Sequence, residues 1–153
     1  MKALKIVLAA VILLGGVLTF NACQSLASPI EEYNWVLYYW DHNGTAKPLL
    51  LDITLSAFFS GKNKTVSGSG GCNTYSGTYK LDGLTLTIND DIITTKMYCG
   101  DGVSEQETAF LNALTNVTNF KLNNGNLILY CGMDTLQFKR TDSTLTTPGN
   151  WGQ

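Results

Sequence analysis

The stretch Val66-Ser-Gly-Ser-Gly-Gly-Cys-Asn-Thr-Tyr-Ser-Gly-Thr-Tyr-Lys80 limits what this chain can fold into more than any other. Glycine inside strand-like sequence marks a bulge, a sharp bend or a close approach of another backbone, because only a residue without Cβ tolerates those geometries. Four glycines fall here, so the expectation is two strand segments meeting at a tight bend, not one long strand. Val66, Tyr75 and Tyr79 are the expected anchors on either side, with Thr78 and Lys80 facing away from Tyr79. A glycine-rich loop can also cradle phosphate, but that requires a strand before it and a helix after it. The residues that follow, Thr74 to Leu86, continue as strand, which argues against phosphate.

The flanking sequence is mostly strand. Trp35-Val-Leu-Tyr-Tyr-Trp40 is dense in aromatic and branched residues. Simple alternation puts Trp35, Leu37 and Tyr39 on one face and Val36, Tyr38 and Trp40 on the other. Leu50 to Phe59 is a second candidate, with Leu51, Ile53 and Leu55 alternating against Asp52, Thr54 and Ser56. Leu84, Leu86 and Ile88 alternate next, Asn89-Asp-Asp91 breaks the strand, and Ile92 to Met97 resumes it. One helix is expected from near Ser104, where Ser104 and Glu107 have capping-box spacing and Phe110, Leu111, Leu114 and Val117 form an apolar face. Phe120 to Leu122 and Asn126 to Tyr130 flank Asn123-Asn-Gly125, a hairpin signal, and Thr135 to Lys139 alternates again. The pattern predicts an α+β fold: a small antiparallel, curled, barrel-like sheet of about seven or eight strands with one packed α-helix.

The N-terminus addresses compartment. Lys2 and Lys5 precede an apolar run from Ile6 to Leu18, the order and length of an export signal and shorter than a membrane span of ~20 residues. Residues 1–22 are therefore expected to be a signal peptide. Phe20-Asn-Ala-Cys23 resembles a bacterial lipobox, which predicts lipidation of Cys23 and a membrane anchor. Ser25-Leu26-Ala27 offers ordinary cleavage and a soluble product instead. Residues 23–32 then read as a tether, 33–140 as the domain and 141–153 as a polar C-terminal tail. A chain starting at Cys23 loses Lys2 and Lys5 from the ten basic residues. It keeps eight basic and twelve acidic side chains, a formal charge of minus four. That sign and the scattered lysines exclude nucleic acid as an expected partner.

Few residues offer chemistry. His42, the single histidine, sits in a turn beside Asp41. Glu105 and Glu107 are two apart and point to different sides of a helix, so they make no glycosidase pair. Asp90-Asp91 lacks calcium-loop spacing, and the cysteines lack zinc spacing. No cofactor and no catalysis are expected; the alternative is an enzyme whose site is assembled only in space. In an oxidising compartment Cys72, Cys99 and Cys131 can pair in three ways, always leaving one over. Cys131 reads as a small buried residue. The candidate site is aromatic, drawn from Trp35, Phe58, Phe59, Tyr98 and their neighbours. Tyr38, Trp40, Tyr75 and Tyr79 are the expected lining of a groove for a small apolar molecule or an envelope protein.

Three motifs in order, Gly68 to Lys80, Thr94-Thr-Lys-Met-Tyr-Cys99 and Gln106-Glu-Thr-Ala-Phe-Leu-Asn-Ala-Leu114, resemble the META domain family, which includes the HslJ-like heat-shock lipoproteins. The resemblance spans about Tyr33 to Arg140. It implies a small envelope domain, often a lipoprotein, with no established reaction and with links in some members to antibiotic tolerance. It also implies a Cys72–Cys99 disulfide, since both motifs carry the cysteine.

Overall fold

The computed structural model of the chain describes residues 28–141. The expected signal peptide, the lipidation site Cys23, the first part of the tether and the tail beyond Thr141 lie outside the described residues.

Among the described residues ten strands and one helix follow in order: β1 Asn34–His42, β2 Thr45–Ala46, β3 Ser56–Ser60, β4 Thr65–Ser69, β5 Thr74–Asp82, β6 Thr85–Ile88, β7 Ile93–Thr94, α1 Asp101–Thr115, β8 Asn119–Asn123, β9 Asn126–Cys131 and β10 Asp134–Thr141. All strand pairings are antiparallel, and the path β1-β3-β4-β5-β6-β8-β9-β10 returns to β1, so the sheet curls into a closed, barrel-like ring. Its narrowest seam joins β6 to β8 at Thr85 and Asn119, extended by Leu86 N–H to Thr118 O and Phe120 N–H to Leu84 O. Short β2 and β7 flank β1 and β5 outside this circuit. The expected α+β class with a curled sheet and one helix is what forms.

Antiparallel order makes the connections alternate between the two ends of the ring. The β1–β3 loop, the Gly70–Asn73 bend, the segment carrying α1 and the Gly132–Met133 turn share one end, called the helix end below. The turns at 61–64, 83–84 and 124–125 share the other, where Asn34 also pairs with Thr141, so the chain enters and leaves there. Phe110 of α1 reaches inward to meet the rings of Trp40, Tyr75 and Phe138, and it is fully buried. Burying rings of this size, at ~25 cal/mol per Å² of apolar surface, is what a helix too short to persist alone needs for stability.

Chain entry is also part of the fold. Ile30 is fully buried and its carbonyl accepts Trp35 Nε1–H at 2.9 Å. Glu31 bridges to Phe59, and Glu32 N–H donates to Phe59 O. The segment Ser28–Glu32, expected as tether, is therefore domain.

Three local expectations are corrected. In β1, Leu37 faces Phe138 while Tyr39 faces Gln137, so Tyr38 is an extra residue in a bulge. A bulge inserts one residue and reverses the alternation after it. Trp35, Leu37 and Trp40 therefore all point into the core, and Tyr38 and Tyr39 are exposed. The long strand expected from Leu50 shortens to Ser56–Ser60. Pro48 lacks a ladder N–H, Asp52 turns left-handed at φ 61°, and Leu51 is 89 % exposed. The helix starts at Asp101, with Gly100 at its N-cap and no side-chain cap, so Ser104 and Glu107 form no capping box. The Asn-Gly hairpin does form as read: Asn123 pairs with Asn126 around Asn124 and Gly125, at φ 50° and 80°.

Candidate functional site

The glycine-rich stretch becomes β4, a bend and β5. At Gly68 a Cβ would lie 2.1 Å from the carbonyl oxygen of Ser56, so the backbones of β3 and β4 approach too closely for any side chain. At Gly70 a Cβ would lie 2.5 Å from Glu107 Oε1. Glycine here makes room for a carboxylate from the helix.

That carboxylate binds the bend. Glu107 Oε1 accepts the Asn73 backbone N–H at 2.7 Å, and Oε2 accepts Asn73 Nδ2–H at 2.7 Å. Asn73 Oδ1 in turn accepts the Met97 N–H at 2.7 Å and the Thr95 hydroxyl at 2.8 Å, while Nδ2 also donates to Met97 O at 3.2 Å. Next to Asn73, Cys72 is joined to Cys99. One asparagine thus ties together the bend, the 95–99 loop and α1, and Asn73 and Glu107 are both buried. Buried polar groups must be paired, and in Asn73 they are. The node is a fastening that joins the bend, the loop and the helix.

Around it stands an apolar rim. Leu50 N–H donates to Gln106 Oε1 at 2.9 Å, which pins the β1–β3 loop to α1. Ile53 lies within contact distance of a Cβ placed on Gly71. Tyr98 donates its hydroxyl to Asp101 at 2.7 Å, a bond that raises the phenol's pKa. These pinned loops leave Leu50, Leu51, Met97 and Tyr98 exposed near the first turns of α1. Gln106 Nε2, beneath them, is buried and has no acceptor among the described residues.

At the opposite end Glu31 organises a second polar cluster. It accepts from Lys64 Nζ at 2.6 Å, from the Tyr79 hydroxyl and from Ser28 N–H at 3.1 Å. Desolvation works to raise the Glu31 pKa, but the bonds from Lys64, Tyr79 and Ser28 and the charge of Lys64 outweigh it and hold the carboxyl below its ordinary value. Burial, then the Glu31 bond, pushes the Tyr79 phenol up.

The four rings expected to line one groove do not share a surface. Trp40, Tyr75 and Tyr79 are buried, the first two against Phe110 and the third against Phe59. Only Tyr38 is outside, with its hydroxyl on Gln137 and Lys139 over its ring. The ring interior has taken them: Tyr75 finds Ser56 O for its hydroxyl, and Trp40 finds Asp134 Oδ1 at 2.7 Å for its indole N–H. His42 shares that Asp134 oxygen at 2.9 Å and is exposed. Burial pushes the Cys131 thiol up to about 12, assisted by Asp134. Among the described residues no cluster of three or more His, Cys, Asp or Glu is placed to hold a metal.

Sequence reading missed Asn73, Glu31 and, apart from Tyr98, the rim. The only hint for Glu31 was Ile30, a lone apolar residue in a polar stretch. The rim was hidden because Leu50 and Leu51 read as strand.

Among the described residues, a closed antiparallel ring with one helix packed at its end and stapled by one disulfide defines a small α+β domain built around a packed core. The chain belongs to the META domain family, whose model matches residues 28–143. It is similar to a solved protein from Burkholderia xenovorans, at 27 % identity over 74 % of this chain and 88 % of that one, with a TM-score of 0.62. A second solution structure matches at 27 % identity over 74 % of this chain and 95 % of that one, TM-score 0.56. A DUF4847 family protein from Bacteroides vulgatus shares the fold at 19 % identity, covering 74 % and 96 % of the two chains, TM-score 0.52. No curated protein matches the chain.

Proposed function

We propose that this is an exported envelope protein, lipid-anchored at Cys23, whose META domain is a non-catalytic binding or stress-protection module presenting its helix end to an envelope partner. The observation that carries the reading is polarity of the ring. The chain enters and leaves at one end, and the exposed Leu50, Leu51, Met97 and Tyr98 stand on loops of the other. A tether at Ser28 therefore leaves the apolar rim free. Exposed rings and methionine held on a rigid scaffold bind at little entropic cost, which favours docking over chemistry. The rim lies among acidic Asp52, Asp101 and Glu105, which outnumber the neighbouring Lys96, so the fitting partner carries apolar side chains with basic ones around them.

Two measurements test this. Palmitate labelling of cells should mark the wild-type chain and not Cys23→Ala; equal labelling removes the anchor. A photo-crosslinking residue at Leu51 or Tyr98 should capture a discrete partner that the same group at Lys80 does not. Identical products from both ends would replace the docking reading by a purely structural one.

A further inference from the structure

The two ends of the ring differ in charge as well as in loops. Lys62 and Lys64 lie in or beside the 61–64 turn, Lys80 and Lys121 lie two residues from the turns that end β5 and β8, and Lys139 and Arg140 lie at the end of β10. All six are exposed; the acidic residues among them are Glu31, buried against Lys64, together with Glu32 and Asp82. Asp90 and Asp91 lie at the edge of this end, with Asp91 on Thr78 across from Thr65, which leaves the six basic residues in a small excess. At the helix end the balance reverses: Asp41, Asp52, Asp101, Glu105 and Asp134 face only Lys47 and Lys96. A domain with a net negative charge therefore carries a basic end, and it is the end at which the chain enters.

We infer that this basic end is a bilayer-facing surface, which seats the domain on anionic phospholipid headgroups with the acidic helix end turned away. The inference rests on the anchored reading above. Four residues separate Cys23 from Ser28, so the end holding Ser28 stays within about 18 Å of an anchored cysteine at full extension. Surface charges feel an anionic bilayer over a Debye length, about 8 Å at physiological salt. The tether thus confines the domain where the field acts, and the charge asymmetry chooses the orientation. Phospholipid is favoured over nucleic acid because the basic residues ring the tethered end, and over a soluble phosphate because they are spread over several turns instead of converging.

The test uses the non-acylated chain from Cys23 onward, which contains the whole core from Ile30 to Phe138. Cys23 is coupled to a maleimide lipid in vesicles of phosphatidylcholine alone or with about 30 % phosphatidylglycerol, so natural acylation is not needed. Cys131 is buried and Cys72 is joined to Cys99, which leaves Cys23 to react. Amine acetylation is followed lysine by lysine by peptide mass spectrometry. On anionic vesicles Lys62, Lys121 and Lys139 should react at least about threefold more slowly, recovering in about 0.5 M salt, while Lys47 and Lys96 keep their rates. A Lys121→Glu, Lys139→Glu chain should lose the protection at Lys62. Equal rates on both vesicle types, equal slowing at both ends, or protection that survives the double substitution each overturn the inference. A failure of palmitate labelling in cells would remove the natural anchor and leave this measurement of the surface unaffected.

Discussion

Replacing Glu107 by alanine separates two accounts of that residue. As a helix cap, Glu107 would act with Ser104 on the first turn of α1, and losing either would cost ~1 kcal/mol. In the structure it accepts two 2.7 Å bonds from Asn73, one from the backbone and one from the side chain. Truncation strips the acceptor from a buried backbone N–H and leaves Asn73 Nδ2 with only the longer bond to Met97 O. Each buried donor left unpaired costs about 1–3 kcal/mol, so the expected loss is about 3–5 kcal/mol once a small cavity is included. For a domain of this size that lowers Tm by about 12–25 °C. Glu107→Gln should also be costly, because its amide NH₂ must face one of two donors. Ser104→Ala should cost under about 0.5 kcal/mol, as a surface substitution. The assay is urea and thermal unfolding of the oxidised protein by circular dichroism. If Glu107→Ala costs less than about 1 kcal/mol, or no more than Ser104→Ala, the node is not what holds the bend and the reasoning fails.

Further outcomes follow from other contacts. Gly68→Ala should destabilise by at least about 2 kcal/mol in the same assay, because its Cβ meets backbone and not a movable side chain. Trp40→Ala should cost about 3–5 kcal/mol and Tyr39→Ala under about 1 kcal/mol, a contrast set by the bulge at Tyr38; the reverse order would restore simple alternation. Glu31 has a folded pKa below its ordinary 4.5, so its contribution is complete above that value and is lost as pH falls through the folded value. Unfolding midpoints should therefore drop with acid below about pH 4.5, and Glu31→Gln should flatten that slope. Reduction of Cys72–Cys99, which closes a separation of 27 residues, should cost about 3–4 kcal/mol in the chain-entropy picture, measured by denaturation with and without dithiothreitol.

Much of this fold was legible because the local signals agree with the ring. The Asn124–Gly125 hairpin follows from turn chemistry alone, and the Phe110–Leu114 face of the helix from its period. What escaped depends on events that alternation does not encode. The Tyr38 bulge adds one residue to β1, and nothing in Leu-Tyr-Tyr-Trp marks where. Leu50 and Leu51 carry strand-like residues, but Pro48 and the left-handed Asp52 turn that chain away from a ladder. Glu107 sits at the right spacing for a cap, yet the helix begins three residues earlier, and a turn of helix decides whether a carboxylate faces solvent or Asn73.

The same geometry bears on where activity should be sought. The motifs that make this chain resemble its family are the glycine bend, the Thr94–Cys99 loop and the first turns of the helix. In the structure all three meet at Asn73 and spend their polar groups on one another. Gly68 and Gly70 are there for backbone and carboxylate to pass, not for a ligand. A motif of this kind reports that the ring closes, and its residues are poor guides to a partner. The exposed side chains that the node holds in place are different: Leu50 and Leu51 lie outside the three motifs, and Met97 and Tyr98 lie within the Thr94–Cys99 loop but turn their side chains to solvent. Substituting those four with serine should leave unfolding midpoints within about 1 kcal/mol of wild type while abolishing partner capture. Loss of stability instead would show that the rim belongs to the fastening, and the search for function would then move to the basic end.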